Sequence, residues 1–280
     1  MTVKTLEYIS VERVIECFLL AFENYYVKMP INNKYYIDRW AAAKVDFSLS
    51  YGMFDKEILV GFIIHAVDHR FGIKTAFNTG TGVIPKYRGN KITKAIYDFA
   101  IDDLKSKGIE KSILEVIQKN EKAIKAYRSV GFDITKEYNC FAGEIQMGRS
   151  EVHEVKEINK DEFNWHDAPN QKNYSWDFQK ETVKEVDYKY FQVIFNDQVE
   201  SYFIFNLKNK YLAQFDVYEN HINAWERLFT AIDRITNEVK IINVDSKLVD
   251  KSIIIQKANL KNTVNQYEME LILTGGNTAL

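Results

Sequence analysis

The apolar residues of this chain change period in a fixed order, and that order restricts the fold more than any other feature. Val3 to Tyr8 alternates as a short strand, and Ser10 stands as an N-cap before Val14, Ile15, Phe18, Leu19 and Phe22 on one helical face. After Pro30 a second helical pattern groups Tyr36, Ile37, Trp40 and Ala41. Segments 47–53, 58–67 and 74–84 are then β-branched and aromatic, separated by Asp55-Lys56 and by a stretch holding Gly72, as in an antiparallel meander. Helical spacing returns in Ile92, Ile96, Phe99, Ala100 and Leu104 and stops at Gly108. Ser112 to Ile117 is short and strand-like. Asn120 opens a last helix through Ala123, Ile124, Tyr127 and Val130 that ends at Gly131, with strand material from Phe132 onward. The order βαα-βββ-α-β-α-β describes an α/β (α+β) sandwich on a mixed sheet, not a doubly wound parallel sheet.

A chain of 280 residues suggests two domains, and the order of elements repeats. Tyr190–Phe195, Val199–Phe205 and Tyr211–Val217 read as a second meander. A helix carrying Ile222, Trp225, Leu228, Phe229 and Ile232 follows, then a strand at Val239–Val244, a helix at Leu248–Ala258 and a closing strand at Thr263–Leu273. Gly148-Arg149-Ser150 is the expected joint, dividing the chain into 1–149 and 150–280. Residues 1–150 hold 22 basic and 18 acidic side chains, a net +4, and residues 151–280 hold 15 and 21, a net −6. That split fits two domains with different electrostatic jobs. An isoelectric point near 6.3 and the lack of a long basic stripe argue against nucleic-acid binding. No apolar run reaches the ~20 residues of a membrane span and Met1-Thr2-Val3-Lys4 lacks a signal core, so a cytoplasmic protein with no membrane partner is expected. Cys17 and Cys140 are the only cysteines, are not a C-x-x-C pair, and are expected reduced.

Two segments carry chemistry. Gly80-Thr81-Gly82-Val83-Ile84-Pro85-Lys86-Tyr87-Arg88-Gly89-Asn90-Lys91-Ile92-Thr93 joins a strand to a helix start, where unpaired N–H groups and the helix dipole favour a phosphate. Lys86, Arg88, Lys91 and Lys94 add positive charge with no acid between them. A plain β-to-α turn with a solvated basic rim would look similar. Asn120-x-x-Ala123-x-x-x-Tyr127-x-x-x-Gly131-Phe132 follows a strand and sets Asn120, Ala123, Tyr127 and Gly131 along one stripe. Alone, Tyr127 would read as a core aromatic.

Together, in this order and separation, the segments resemble the GNAT superfamily of N-acetyltransferases. Its first motif is Gln/Arg-x-x-Gly-x-Gly/Ala, of which Arg88 is matched while Lys91 and Thr93 stand where the family prefers small residues. Its second, Asn-x-x-Ala-x-x-x-Tyr-x-x-x-Gly-Phe, is complete. The resemblance implies an acetyltransferase using acetyl-CoA as co-substrate, without a metal. Val83, Ile84 and the backbone of Arg88, Gly89, Asn90, Lys91, Ile92 and Thr93 would hold the pantetheine arm and pyrophosphate, beside Asn120 and Ala123. Tyr127 would be the general acid in direct attack of a primary amine on the thioester, within a ternary complex and with no acyl-enzyme. A non-catalytic acetyl-CoA sensor or assembly module is the alternative, and transfer of a longer acyl chain a weaker third.

An ammonium must lose a proton before it attacks. Glu115 and His65 are the nearest candidates for the base, and a water relay through Asn78, Thr79 or Thr81 is equally open. His65 and His69 sit at a strand end, where their spacing does not converge on a metal. In the superfamily the acceptor pocket is walled by the segment between the first two helices, here Glu23, Asn24, Tyr25 and Tyr26, so that Tyr25, Tyr26, Asn78 and Thr79 would face a small-molecule or peptide amine.

The second half resembles a degenerate GNAT domain by element order alone. Laying Asn259-Leu260 on Gly131-Phe132 puts Ile255 at the place of Tyr127 and Leu248 at that of Asn120, and Tyr218-Glu219-Asn220-His221 replaces the basic glycine turn. Its expected roles are to wall the acceptor site, steer a cationic amine, or mediate a homodimer; a lid without a recognition role is as compatible with the sequence.

Overall fold

The computed structural model describes residues 1–148 and 154–274, so that Arg149 and Ser150 of the expected joint lie outside the described residues. The chain forms two compact units, one of residues 1–135 with 268–280 and one of residues 136–267. The strand after Phe132 therefore runs on into the second unit, and the last strand of the sequence belongs to the first. Element order assigns these two strands the other way round, because alternation shows that a segment is a strand but not which sheet edge it joins. Among the described residues no helix is long and apolar enough to cross a membrane.

In the first unit, β1 (Thr2–Thr5), β2 (Tyr51–Asp55), β3 (Ile58–Arg70) and β4 (Ile73–Val83) form an antiparallel sheet. β5 (Lys111–Ile117) joins β4 in parallel. The final strand, β13 (Gln266–Ile272), lies next to β5, where Lys111 pairs with Glu270 at 3.1 Å. Residues 47–49, expected to begin the meander, instead form a 3-10 turn capped by Asp46. Helices α1 (Val11–Ala21) and α2 (Asn33–Ala43) are capped by Ser10 and Asn32, the N-cap expected at Ser10 among them. They cover one sheet face through a core of Phe18, Tyr36, Trp40, Leu59 and Phe62. Ile37 of the expected α2 face is instead exposed. α3 (Ile92–Ser106), followed by Gly108 at φ +74°, buries Ile96, Tyr97, Ala100 and Leu104, and α4 (Glu121–Arg128) buries Ile124 and Tyr127.

The second unit repeats the plan. Its sheet runs β7 (Glu154–Ile158), β8 (Lys189–Phe195), β9 (Gln198–Asn206), β10 (Tyr211–Val217), β11 (Glu238–Asp245) and β6 (Asp133–Glu144), with the short β12 (Lys261–Asn262) also on β6. α6 (Ile222–Ile235) and α7 (Val249–Lys257) pack on a core including Phe215, Trp225, Phe229, Ile254 and Ile255. Where the first unit has α1 and α2, this one has 3-10 turns and the single-turn α5 (Lys180–Val183), around a core of Phe163, Tyr174, Tyr190 and Tyr202.

Candidate functional site

The site of the first unit begins with a break in strand pairing. β4 and β5 pair only from Thr75–Lys111 to Asn78–Leu114. Opposite β3, His65 faces Asn78 while Ile64 faces Gly80, which leaves Thr79 as the extra residue of a β-bulge. From there Thr79–Val83 follows β3 and Glu115–Ile117 leaves it, so the two central strands splay apart. The glycines of this stretch let α1 approach: a Cβ on Gly80 would lie 2.8 Å from the Phe18 ring, and one on Gly82 2.7 Å from Ala21 Cβ. The pairing of Asn78 with Leu114 sets both on the α3 face and turns Glu115, half-buried, toward the α1–α2 face.

The start of α3 borders the splay. Its N-cap, Lys91, adopts a left-handed backbone (φ +54°) after Gly89 (φ +84°) and offers no side-chain acceptor. α1, α2 and α4 are all closed by a side chain, of Ser10, Asn32 and Asn120. The first amides of α3 therefore have no side-chain cap, and the space beside Gly89 is open: a Cβ added there would meet nothing within 4 Å. Arg88 braces this turn, donating from Nε to the Val83 carbonyl (3.1 Å) and from Nη2 to the Ala21 carbonyl (2.8 Å). Asn90 donates to the Tyr87 carbonyl, and Ile84 N–H to that of Val60. Ile92 is buried, whereas Thr93 is half-buried. Lys94 is paired with Asp98, so less of the basic rim is free than the sequence suggests.

α4 borders the other side. Asn120 Oδ1 accepts the Ala123 N–H at 3.3 Å, holding the first turn of the helix. Tyr26 donates to the Lys119 carbonyl at 3.2 Å and Tyr25 lies beside Asn120, so the α1–α2 connection closes over the β5–α4 turn. Burial raises the Tyr25 hydroxyl's pKa, and Asn120 opposes the shift. Tyr127 is 7% exposed, and burial pushes its pKa up to about 12 against the opposing pull of the neighbouring Thr81 hydroxyl. The phenol is thus held protonated at any neutral pH.

A buried polar chain links these groups. Asn78 donates to Thr81 Oγ1 and to Tyr97 Oη, each at 2.6 Å, while its own oxygen accepts the Gly80 N–H at 3.0 Å. Thr79 Oγ1 accepts from Arg39 of α2 at 2.8 Å. Sequence reasoning missed Tyr97 and Arg39; the spacing of Tyr97 with Ala100 and Leu104 was the available signal. His65, the β3 partner of Asn78, is fully buried, with Nδ1 2.7 Å from the Leu49 carbonyl; burial lowers its pKa to about 4. It is a neutral core residue, and Glu115 on the α1–α2 face and a relay through Asn78, Thr79 or Thr81 stay as candidates for the base. Among the described residues, no cluster of three or more His, Cys, Asp or Glu could hold a metal ion.

The second unit has a similar opening with different contents. One parallel pair, Tyr211–Lys240, joins β10 to β11, and both strands then shift register, at Leu212/Gln214 and Ile241/Val244. Tyr174 fills the opening: its hydroxyl donates to Asp216 (2.7 Å) and accepts the Phe215 N–H (3.1 Å). Lys251, from the first turn of α7, pairs with the same carboxylate at 2.8 Å, and both side chains are at most 3% exposed. The ammonium also lies 4.6–4.7 Å from the Phe215 and Tyr174 ring centres. Burial lowers the pKa of Lys251, and Asp216 counters this. What remains between the strands is a cavity of about 10 Å³. The N-terminus of α6 is closed by its own His221, whose Nδ1 accepts the Ala224 N–H at 3.2 Å.

Residues 14–132 match the model of the Acetyltransferase (GNAT) family. No curated protein matches the chain. Among solved structures, it is similar to a tandem GNAT protein from the clavulanic acid biosynthesis pathway, with a TM-score of 0.67 and 12% identity over 99% of each chain. It is also similar to a GCN5-related N-acetyltransferase from Sphaerobacter thermophilus, with a TM-score of 0.68 and 8% identity over 98% of this chain and 96% of that one. A third, from Anabaena variabilis, gives 0.65 and 12% over 98% and 73%. At these identities the likeness is one of fold, a mixed α/β GNAT fold on a mixed sheet, and residues 14–132 carry the family's sequence pattern.

Proposed function

We propose that the chain, with its GNAT domain matched over residues 14–132, transfers an acetyl group from acetyl-CoA to a primary amine by direct attack in the first unit. The observation that carries this reading is the β4–β5 splay, flanked by the uncapped start of α3 and by the Tyr127 hydroxyl. The residues present suit the co-substrate. The open amides from Gly89 to Thr93 suit a pyrophosphate, and the edge of β4 up to Val83, with Asn120, suits an amide-bearing arm. Arg88 supports this cradle from behind, through carbonyls, rather than by reaching into it.

Glu115, on the α1–α2 face, would take the proton of the incoming ammonium, with Tyr25, Tyr26 and Thr79 bordering the acceptor. The amine nitrogen would then bond to the thioester carbonyl carbon, the carbon–sulfur bond would break, and the nitrogen would lose its second proton, which would return to Tyr127 after that residue has protonated the sulfur. Tyr127 would give its proton to the departing sulfur. We assign no catalysis to the second unit, which we read as a degenerate GNAT domain. Tyr174, Lys251 and Asp216 occupy its splay, and Ile255 stands where the first unit has Tyr127.

Calorimetry with acetyl-CoA, followed by turnover across a panel of small amines and peptide N-termini, tests this. One site per chain and amine-dependent release of CoA are expected. Binding without turnover for any amine would turn the reading into that of a sensor, and two sites would overturn the assignment of the second unit.

A further inference from the structure

The Ile84 N–H donates to the Val60 carbonyl at 3.0 Å. With the period of an antiparallel ladder, Gly82 and Gly80 therefore aim their N–H groups at β3, and Thr81 and Val83 turn theirs toward the side where β5 has parted from β4. At Gly80 the ladder meets a competitor. Asn78 Oδ1 accepts the Gly80 N–H at 3.0 Å, a bond to the second residue onward that closes a turn inside the strand and makes Thr79 the extra residue. A backbone N–H can only donate, so this contact fixes the orientation of the amide: Nδ2 donates to Thr81 Oγ1 and to Tyr97 Oη, each at 2.6 Å. The Asn78 side chain, 5% exposed, thus ties the strand beyond the bulge, and α3, to the last residue of β4 that pairs with β5. The bulge cannot be shed by a slip of one residue. That would set Thr79 opposite Ile64, at the place where a Cβ on Gly80 would already lie 2.8 Å from the Phe18 ring.

We propose that Asn78 is a positioning residue: by capturing the Gly80 N–H it holds the Thr79 bulge, and the bulge presents the β4 edge at Thr81 and Val83 to the acetyl-CoA arm. The inference rests on the reading that this edge takes that arm. It adds the residue that keeps the edge in place, from the α3 face of the sheet and away from the acceptor.

Hydrogen exchange of the Gly80 amide, followed by NMR on the full ¹⁵N-labelled chain, reports on the bulge, and calorimetry with acetyl-CoA reports on the edge. Asn78→Ala should speed Gly80 exchange and weaken acetyl-CoA binding, each by about tenfold, the scale of one lost hydrogen bond. Asn78→Asp keeps the acceptor, and the Thr81 and Tyr97 hydroxyls can turn to donate to it. Exchange and affinity should then return to within about threefold of the parent, although the buried carboxylate lowers Tm. Asn78→Ser, a weaker acceptor for the same N–H, should fall between them and takes the place of Asn78→Ala if that variant does not fold. Affinity that follows Tm across the series, rather than Gly80 exchange, would reduce Asn78 to a packing role and overturn the proposal. Gly80 exchange unmoved in Asn78→Ala or Asn78→Ser would overturn it too, as would faster exchange with unaltered affinity. Faster exchange in these variants of a parent chain that does not bind acetyl-CoA would instead overturn the acetyl-CoA reading and leave the bulge to Asn78.

Discussion

The two units part their central strands in the same manner and fill the gap differently. In the first, β4 and β5 separate after Asn78 and Leu114, and the helix start beside them has no side-chain cap. In the second, β10 and β11 separate after a single pair, and the gap is closed by Tyr174, Asp216 and Lys251, leaving about 10 Å³. One position shows how little sequence is needed. With Asn259-Leu260 laid on Gly131-Phe132, Lys251 falls at Ala123 in the first turn of the equivalent helix, and Asn259 (φ +63°) repeats the left-handed backbone of Gly131 (φ +106°). Ala123 brings only a methyl group to that position, whereas the lysine carries its ammonium inward onto a buried carboxylate. Both units thus part their central strands, and they differ in how far side chains fill the gap.

The comparison can be broken most sharply in the second unit. Asp216→Ala leaves the Lys251 ammonium buried without its counter-charge, and a loss of about 3–5 kcal/mol is expected in urea unfolding. Replacing both partners, as Asp216→Leu with Lys251→Met, should cost far less. Equal losses for the single and double variants would show that the pair is not what closes the gap. In the first unit, Tyr127→Phe should reduce kcat by about 100-fold or more with little change in KM for acetyl-CoA, measured with the best amine acceptor; undiminished turnover removes Tyr127 from the acid role.

A third, smaller contrast is one of pH. His65 is buried and neutral, with a folded pKa of about 4 against an ordinary value of 6.5. The unfolded chain therefore binds this proton first. The stabilisation is complete above pH 6.5 and is lost as the pH falls toward 4, by on the order of 2–3 kcal/mol. The described histidines of the second unit, His166 and His221, are exposed. Hydrogen exchange should show the first unit loosening before the second over that range, and His65→Gln should flatten the difference; simultaneous loosening would contradict it. The smallest effect concerns Gly89, at φ +84° with open space around it. Gly89→Ala should cost only about 1 kcal/mol in stability while weakening CoA binding about tenfold as the exposed amides shift; unaltered affinity would detach this turn from the pyrophosphate.

Much of this molecule follows from local sequence. The caps at Ser10 and Asn120, the stop at Gly108 and the motif from Asn120 to Phe132 are set by side chains acting on their own turn of chain, so a reading of neighbours suffices. The second meander and the missing phosphate turn before α6 were legible for the same reason. Tertiary structure decided what depends on distant partners. It set which sheet receives the strands after Phe132 and before Leu273, and it placed His65 in the core rather than at the site. It also joined Asn78, Thr81 and Tyr97 by hydrogen bonds, and brought Tyr174 and Lys251 to the same carboxylate across 77 residues of sequence. Periodicity tells a residue which face of its own element it occupies; only packing tells it what stands opposite.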